Sequence, residues 1–302
     1  MKRILITGAT SWIGSEVEAH LAAFPGRYGV ERVSLRGDAW KERSWEGFDS
    51  VLHAAGIASS SVSGAKAELE YRRANVELAA DAAAKAKADG VSHFMLMSSI
   101  YVYVDGSTER EAIAADTVPR PGTVYGRSKL EAERAVAPLA GTGFEVAVVR
   151  SPLVYGPGCS GNFALLAKLA RMSPVFPDVD NARSMIFSRN LAELVRLLVE
   201  ERGGGTFLPQ DAEHVRTSEL VRLLAEVQGT RIRLSSLLGD VARPFLADKG
   251  ILGRLFGNLR YDLSTTGSVY DYRLTSLEES VRKSFVKQSQ AGHKSNRRRE
   301  SQ

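Results

Sequence analysis

Tyr125 and Lys129, four residues apart in the run Tyr125-Gly-Arg-Ser-Lys129, are the side chains whose types and spacing point most directly to chemistry. On a helix that spacing puts them on one face, where an ammonium beside a phenol favours its ionised form. An isolated tyrosine, with a pKa of about 10, is a poor base at neutral pH. A neighbouring cation draws it toward the range in which general acid/base catalysis works. Of the nine tyrosines only Tyr125 has a lysine four positions on. Ser98-Ser99 lies upstream, and Gly8-Ala-Thr-Ser-Trp-Ile-Gly14 near the start forms a loop of the kind that carries a dinucleotide. A proton-handling pair set against a nucleotide cradle is equipment for hydride transfer.

These residues need elements to hold them. Ile4-Leu5-Ile6 reads as a buried strand, and residues 15–24 as a helix with apolar positions at Val17, Leu21 and Phe24. A strand, a tight glycine turn and a helix whose free N–H groups face the pyrophosphate make the context such a loop requires. Gly8, Ser11, Trp12, Ile13 and Gly14 are therefore expected at the cofactor, with Ser11 standing where a third glycine would be. Strands at 30–35, 51–55, 94–97 and 146–149 alternate with an alanine-rich helix at 75–88 and the helix of Tyr125. Such alternation predicts an α/β fold of Rossmann type, a doubly wound parallel sheet with its ligand at the strands' C-terminal ends.

After Gly156-Pro157-Gly158 the pattern loosens into helices at 163–171, 191–200, 218–227 and 277–285 separated by proline-bearing loops. The expected organisation is a dinucleotide-binding domain over 1–158, a smaller substrate lobe mainly over 159–286, and segments around 183–212 returning to the first domain. Residues 287–302 read as a disordered basic tail: it holds five basic residues and one acid, +4 of the chain's net charge of +5. No aromatic residues interleave with its arginines, which argues against nucleic-acid binding. The single Cys159 fits a reducing compartment, the first residues run into a strand without a signal-peptide pattern, and no apolar run approaches the roughly 20 residues of a spanning helix. A cytoplasmic protein is expected. The histidines and the cysteine have no metal-ligand spacing, so no metal is predicted, and His53 is read as hydrogen-bonded structure.

Taken in order, these residues resemble the extended short-chain dehydrogenase/reductase family, in its nucleotide-sugar epimerase/dehydratase branch, over about residues 1–285. The signals are Gly8 to Gly14, Leu52-His53-Ala54-Ala55-Gly56, Asn75, Ser98-Ser99 and Tyr125 with Lys129. The resemblance implies that Ala54, Ala55, Gly56, Asn75 and Ser98 join the cofactor site, that Ser99 hydrogen-bonds the reacting sugar oxygen, and that Tyr125 exchanges its proton. Lys129 would bind the nicotinamide ribose and lower the tyrosine pKa. Ser99 is chosen over Ser98 because Val102-Tyr103 follows it at the family's Ser-x-x-Val-Tyr spacing. Arg150 to Gly158, Gly161-Asn162-Phe163 and Asn181-Ala-Arg183-Ser184 resemble the sugar-nucleotide lobe of O-antigen and capsule enzymes, which puts Asn162 and Arg183 toward the diphosphate. An arginine fork suits phosphate oxygens. Leu153 departs from the asparagine of UDP-hexose 4-epimerases. A homodimer is implied, with the helices around 75–88 and 125–137 pairing across a two-fold and the alanine face of the first allowing close packing.

The cofactor stays open between NAD and NADP. An acid at the end of the second strand selects NAD, and an arginine accommodates the 2′-phosphate of NADP; here Arg36 stands near that position with Asp38 two residues on. Arg36 leans to NADP, the epimerase resemblance to NAD. A UDP-hexose 4-epimerase is the leading expectation, and an NADPH-dependent 4-ketosugar reductase the alternative. A dehydratase is disfavoured because Ile100-Tyr101 replace its usual Asp-Glu pair. A dinucleotide-sensing protein without turnover is the third reading, disfavoured by the intact Tyr/Lys pair.

Overall fold

The structure is a computed structural model that describes residues 1–58, 64, 66–105, 112–242, 251–265 and 270–285. The basic tail lies outside the described residues. β1 (Lys2–Thr7) is the apolar run at the start, and α1 (Trp12–Leu21) follows the glycine turn. The helix begins earlier than its apolar spacing indicates because Ser11 caps it, accepting a hydrogen bond from the Gly14 N–H at 3.2 Å. β2 (Tyr28–Val33), a short α2 (Ala39–Glu42) and β3 (Ser50–His53) come next. The helix expected over 75–88 is longer and less regular: α3 (Ala67–Tyr71) passes through a π-helical turn at Arg72–Glu77 into α4 (Leu78–Ala88). β4 (His93–Ser99) ends in a 3₁₀ turn at Ile100–Tyr103, and α5 (Val124–Val136) leads to β5 (Glu145–Ser151).

Beyond β5 the chain forms β6 (Leu153–Tyr155), α6 (Asn162–Met172), β7 (Val175–Pro177), β8 (Met185–Phe187), α7 (Ser188–Glu201) and β9 (Gly205–Phe207). The main sheet has the order β2-β1-β3-β4-β5-β9 and is parallel throughout. Its order reverses between β1 and β3, so a ligand crevice opens outside the ends of those two strands. Within 183–212, α7 covers the sheet beside α1 and β9 extends it, whereas β8 pairs in parallel with β6 in a separate ribbon. The remaining elements are α8 (Thr217–Val227), β10 (Arg233–Ser235) pairing with β7, α9 (Ser236–Ala242), α10 (Ile251–Phe256) and α11 (Leu277–Phe285).

Alternation along the strands builds two cores. Ile4, Ile6, Leu52, Met95 and Val149 face α1 and α7, while Leu5, Val51, Phe94, Leu96 and Val146 face α4 and α5. Ala79, Ala82, Ala83 and Ala86 of α4 are buried in that second core. The alanine face read as permitting packing across a two-fold is thus spent within the subunit. A third core of Tyr155, Phe163, Phe176, Phe187, Leu224 and Phe256 fills the lobe. Among the described residues no helix is long and apolar enough to cross a membrane, and no group of three or more potential metal ligands occurs.

Candidate active site

α5 starts at Thr123, whose hydroxyl accepts the Gly126 N–H at 3.0 Å, which places Tyr125 in the first helical turn. Gly126 has to be small there: a Cβ would lie 2.4 Å from the Tyr101 carbonyl oxygen. One turn on, the buried Lys129 donates to the Met97 carbonyl at 3.0 Å, its Nζ 6.0 Å from the centre of the Tyr125 ring. Ser99 hydrogen-bonds the Tyr125 phenol, and its Oγ accepts the Tyr101 N–H at 3.3 Å. The hydroxyl of Ser98 donates instead to the Glu133 carboxylate. Neighbouring strand residues face opposite sides of the sheet, so only one of the two serines can meet Tyr125.

Burial governs the protonation of the pair. It pushes the Tyr125 phenol up to about 12, against the hydrogen bond from Ser99, and brings Lys129 down to about 8, against the charge of Glu133. The net shift of the tyrosine is upward, opposite to the depression by Lys129 expected from the helical spacing. At pH 7 Tyr125 holds its proton and most Lys129 is charged, the form in which a phenol donates. Tyr71 and Tyr101 enclose it, their rings edge-on at 5.9 and 5.8 Å.

Asn75, in the π turn, joins this site to the end of β3. Its amide donates to Ser128 Oγ at 3.0 Å and to the Ile57 carbonyl at 3.3 Å, and its Oδ1 accepts the Ile57 N–H at 2.9 Å. Gly56, with φ 141°, permits this approach; a Cβ there would stand 2.6 Å from Asn75 Oδ1. His53, with Nδ1 3.0 Å from Thr7 Oγ1, is buried structure, and burial lowers its pKa to about 3. At the other wall of the crevice Gly8 has φ 91°, and a Cβ would lie 3.0 Å from the Ala55 backbone. Trp12 donates from Nε1 to the Pro157 carbonyl at 2.9 Å, linking the loop to the start of the lobe, and Ile13 packs into the α1/α7 core.

Arg32, which the motifs did not single out, braces the loop by donating to the Ser11 carbonyl at 2.9 Å and to Ser15 Oγ at 2.8 Å. Its position before the end of β2 was the available signal. Arg36 is exposed just beyond β2 and makes no side-chain bond among the described residues, while Asp38 pairs with Lys41 at 2.9 Å. In the lobe, Asn162 and Arg183 come together in a depression with Leu153, Met185, Val215 and Thr217. Arg183 is buried, donates to the Gly257 carbonyl at 2.6 Å and has no carboxylate partner among the described residues. The Tyr101 ring packs edge-on against that of Tyr125 at 5.8 Å, a neighbour that the sequence marked only through the missing Asp-Glu pair.

Residues 4–207 match the model of the NAD dependent epimerase/dehydratase family. The chain belongs to this family. A UDP-glucose 4-epimerase of Vibrio cholerae is 29% identical over 243 residues, 76% of this chain and 71% of the relative. A GDP-6-deoxy-D-mannose reductase of Pseudomonas aeruginosa is 25% identical over 255 residues, 77% and 82% of the two chains. A dTDP-4-dehydrorhamnose reductase of Bacillus anthracis, solved with NADP, has the same fold with a TM-score of 0.72, 17% identity, and coverage of 96% of this chain and 100% of that one.

As a member of the epimerase/dehydratase family the chain is an NAD(P)-dependent enzyme of the extended short-chain dehydrogenase type, which sets aside the sensing protein without turnover. Its crevice fits a dinucleotide. No Cβ intrudes at Gly8, the first turn of α1 carries no acid, and the exposed guanidinium of Arg36 stands past β2. The loop would hold the pyrophosphate and Lys129 the nicotinamide ribose. Either NAD or NADP suits this set.

Proposed function

We propose that the chain is a UDP-hexose 4-epimerase, an enzyme that inverts C4 of a nucleotide-linked sugar by reversible hydride transfer. The observation that carries this reading is Arg183, buried beside Asn162 with no carboxylate partner among the described residues, together with the Ser99/Tyr125 hydroxyl pair. A guanidinium kept from water without a counter-ion suits a diphosphate. Ser99 would then hydrogen-bond the C4 oxygen while Tyr125 takes its proton as the minor phenolate form and returns it as the phenol, with Lys129 charged beneath it. An oxidised dinucleotide, which the glycine loop and Lys129 would hold, would supply the hydride acceptor for C4 and, once reduced, the donor that returns the hydride. Leu153 leaves an apolar wall where an asparagine would contact the sugar, so the hexose would be held chiefly through its diphosphate and C4 oxygen.

One observation favours the second reading, an NADPH-dependent 4-ketosugar reductase: Arg36 is free, among the described residues, to meet a 2′-phosphate, whereas Asp38 is engaged by Lys41. For either reading we propose a cytoplasmic enzyme that forms a homodimer. The deciding experiment identifies the dinucleotide released on denaturation and then follows NADPH with UDP-4-ketosugars and UDP-hexoses. Tightly held NAD and interconversion of UDP-hexoses without net consumption are expected of the epimerase. Stoichiometric NADPH loss would replace it with the reductase.

A further inference from the structure

A buried ion pair stands directly behind the catalytic hydroxyls, and the chemistry described above makes no use of it. Tyr125, Lys129 and Glu133 follow one another at four-residue steps along α5 and so share one side of the helix. Glu133 is 5% exposed. Arg150 of β5 grips it with a fork, donating from Nε to Oε1 and Oε2 at 3.1 and 3.2 Å and from Nη2 to Oε2 at 2.6 Å. Ser98, the neighbour of Ser99, donates to the same carboxylate. Arg150 Nη1 donates to the Tyr103 hydroxyl at 2.6 Å, and the Arg150 carbonyl accepts from the Tyr261 hydroxyl at 2.6 Å.

A pair of this kind is poor evidence for stability, because taking two charges out of water costs about as much as their attraction returns. Apolar side chains would hold α5 on β5 equally well. What ions add is charge and direction, and both act on the active site. The carboxylate fixes the strand end that carries Ser99, and it lies one turn from Lys129. We propose that Glu133, oriented by Arg150, is a positioning residue that holds the Ser98-Ser99 strand end against α5 and serves as the buried counter-charge of the Lys129 ammonium.

The surroundings of Lys129 leave this role to Glu133. Met97 on β4 offers a carbonyl, Asn75 and Gly56 offer no charge, and His53 on β3 is neutral at working pH. Tyr125 on the same helix keeps its proton. Glu133 is the carboxylate that acts on Lys129, and it opposes the effect of burial.

The test is a Glu133→Met/Arg150→Met double variant, which removes both charges and leaves no unpaired ion. It is read by NMR titration of the Lys129 side chain in ¹³C-lysine-labelled protein, assigned with Lys129→Met. Thermal unfolding checks that the variant folds. The expected result is a folded protein whose Lys129 midpoint falls by about one pH unit, a tenfold change in its proton affinity. The alkaline limb of kcat/KM should shift to lower pH by the same amount. A folded double variant with the parent's midpoint and profile overturns the proposal. Should the double variant not fold, Glu133→Gln keeps the shape and removes the charge; an unchanged midpoint there overturns it equally. The titration needs no sugar substrate, so its outcome is independent of which substrate the enzyme takes.

Discussion

Tyr125 and Lys129 have been pushed by burial in opposite directions, to about 12 and about 8. Each therefore sits closer to its uncharged form than it would in water, and the pair holds a donor proton over the whole neutral range. Replacing Tyr125 by Phe removes that proton while keeping the ring contacts with Tyr71 and Tyr101. Single-turnover hydride transfer should slow by roughly 10²–10⁴-fold, with dinucleotide affinity by fluorescence titration within about twofold, because no bond of the phenol reaches the glycine loop. A variant as fast as its parent would remove Tyr125 from the catalytic role. The pair itself was legible from helical spacing, and the choice of Ser99 from the Ser-x-x-Val-Tyr spacing that carries the resemblance. Its protonation was not, since the rings that exclude water come from Tyr71 and Tyr101, which no local pattern ties to Tyr125. Arg32 and Glu133 were hidden for the same reason: each reads alone as a surface charge on an amphipathic element.

At the scale of elements, β1 to β5 were readable from their apolar runs, whereas the three-residue edge strand β9 was not. The three-residue pairs β6/β8 and β7/β10 are too short to show a period. The π turn escaped because its extra residue leaves composition unchanged, and such bulges gather at functional sites. Here it brings the Asn75 amide onto both Ile57 and Ser128, tying the end of β3 to the turn that presents Tyr125. Ser128 in turn donates to the Tyr125 carbonyl at 2.8 Å. Asn75→Ala leaves the Ile57 N–H and Ser128 without their partner, so urea unfolding should show a loss of about 1–3 kcal/mol. Since Gly56 and Ile57 border the dinucleotide crevice, cofactor affinity should weaken while binding of UDP to the lobe does not. Parent-like stability would mean that the amide ties nothing together.

For the whole molecule, the lobe and the sheet meet at Asp211. Its carboxylate accepts from Asn190 Nδ2 at 2.8 Å, from the Tyr155 hydroxyl at 2.9 Å and from the Phe187 N–H, and Tyr155 reaches Ser280 of α11 at 2.5 Å. Burial raises the Asp211 pKa to about 6, above its unfolded value, so its ionisation on folding opposes stability and the folded state binds the extra proton between about pH 4 and 6. This term favours the folded state as pH falls. His53 and His93 act in the other direction. Burial lowers them to about 3 and about 4, below the unfolded value near 6.5, so the unfolded chain gains protons first and stability is lost as pH falls below 6.5. From pH 7 to pH 5 each histidine costs about 2 kcal/mol, while Asp211 returns about 1, so these three groups together should lower stability by about 3 kcal/mol. Asp211→Asn removes the returning term and can keep the acceptors for Asn190 and Phe187. Its urea midpoint should therefore fall more steeply than the parent's over this range, by about 1 kcal/mol after conversion through the m-value. Parallel curves for the two proteins would place the Asp211 pKa at its ordinary value and remove the proton-sensitive joint between lobe and sheet.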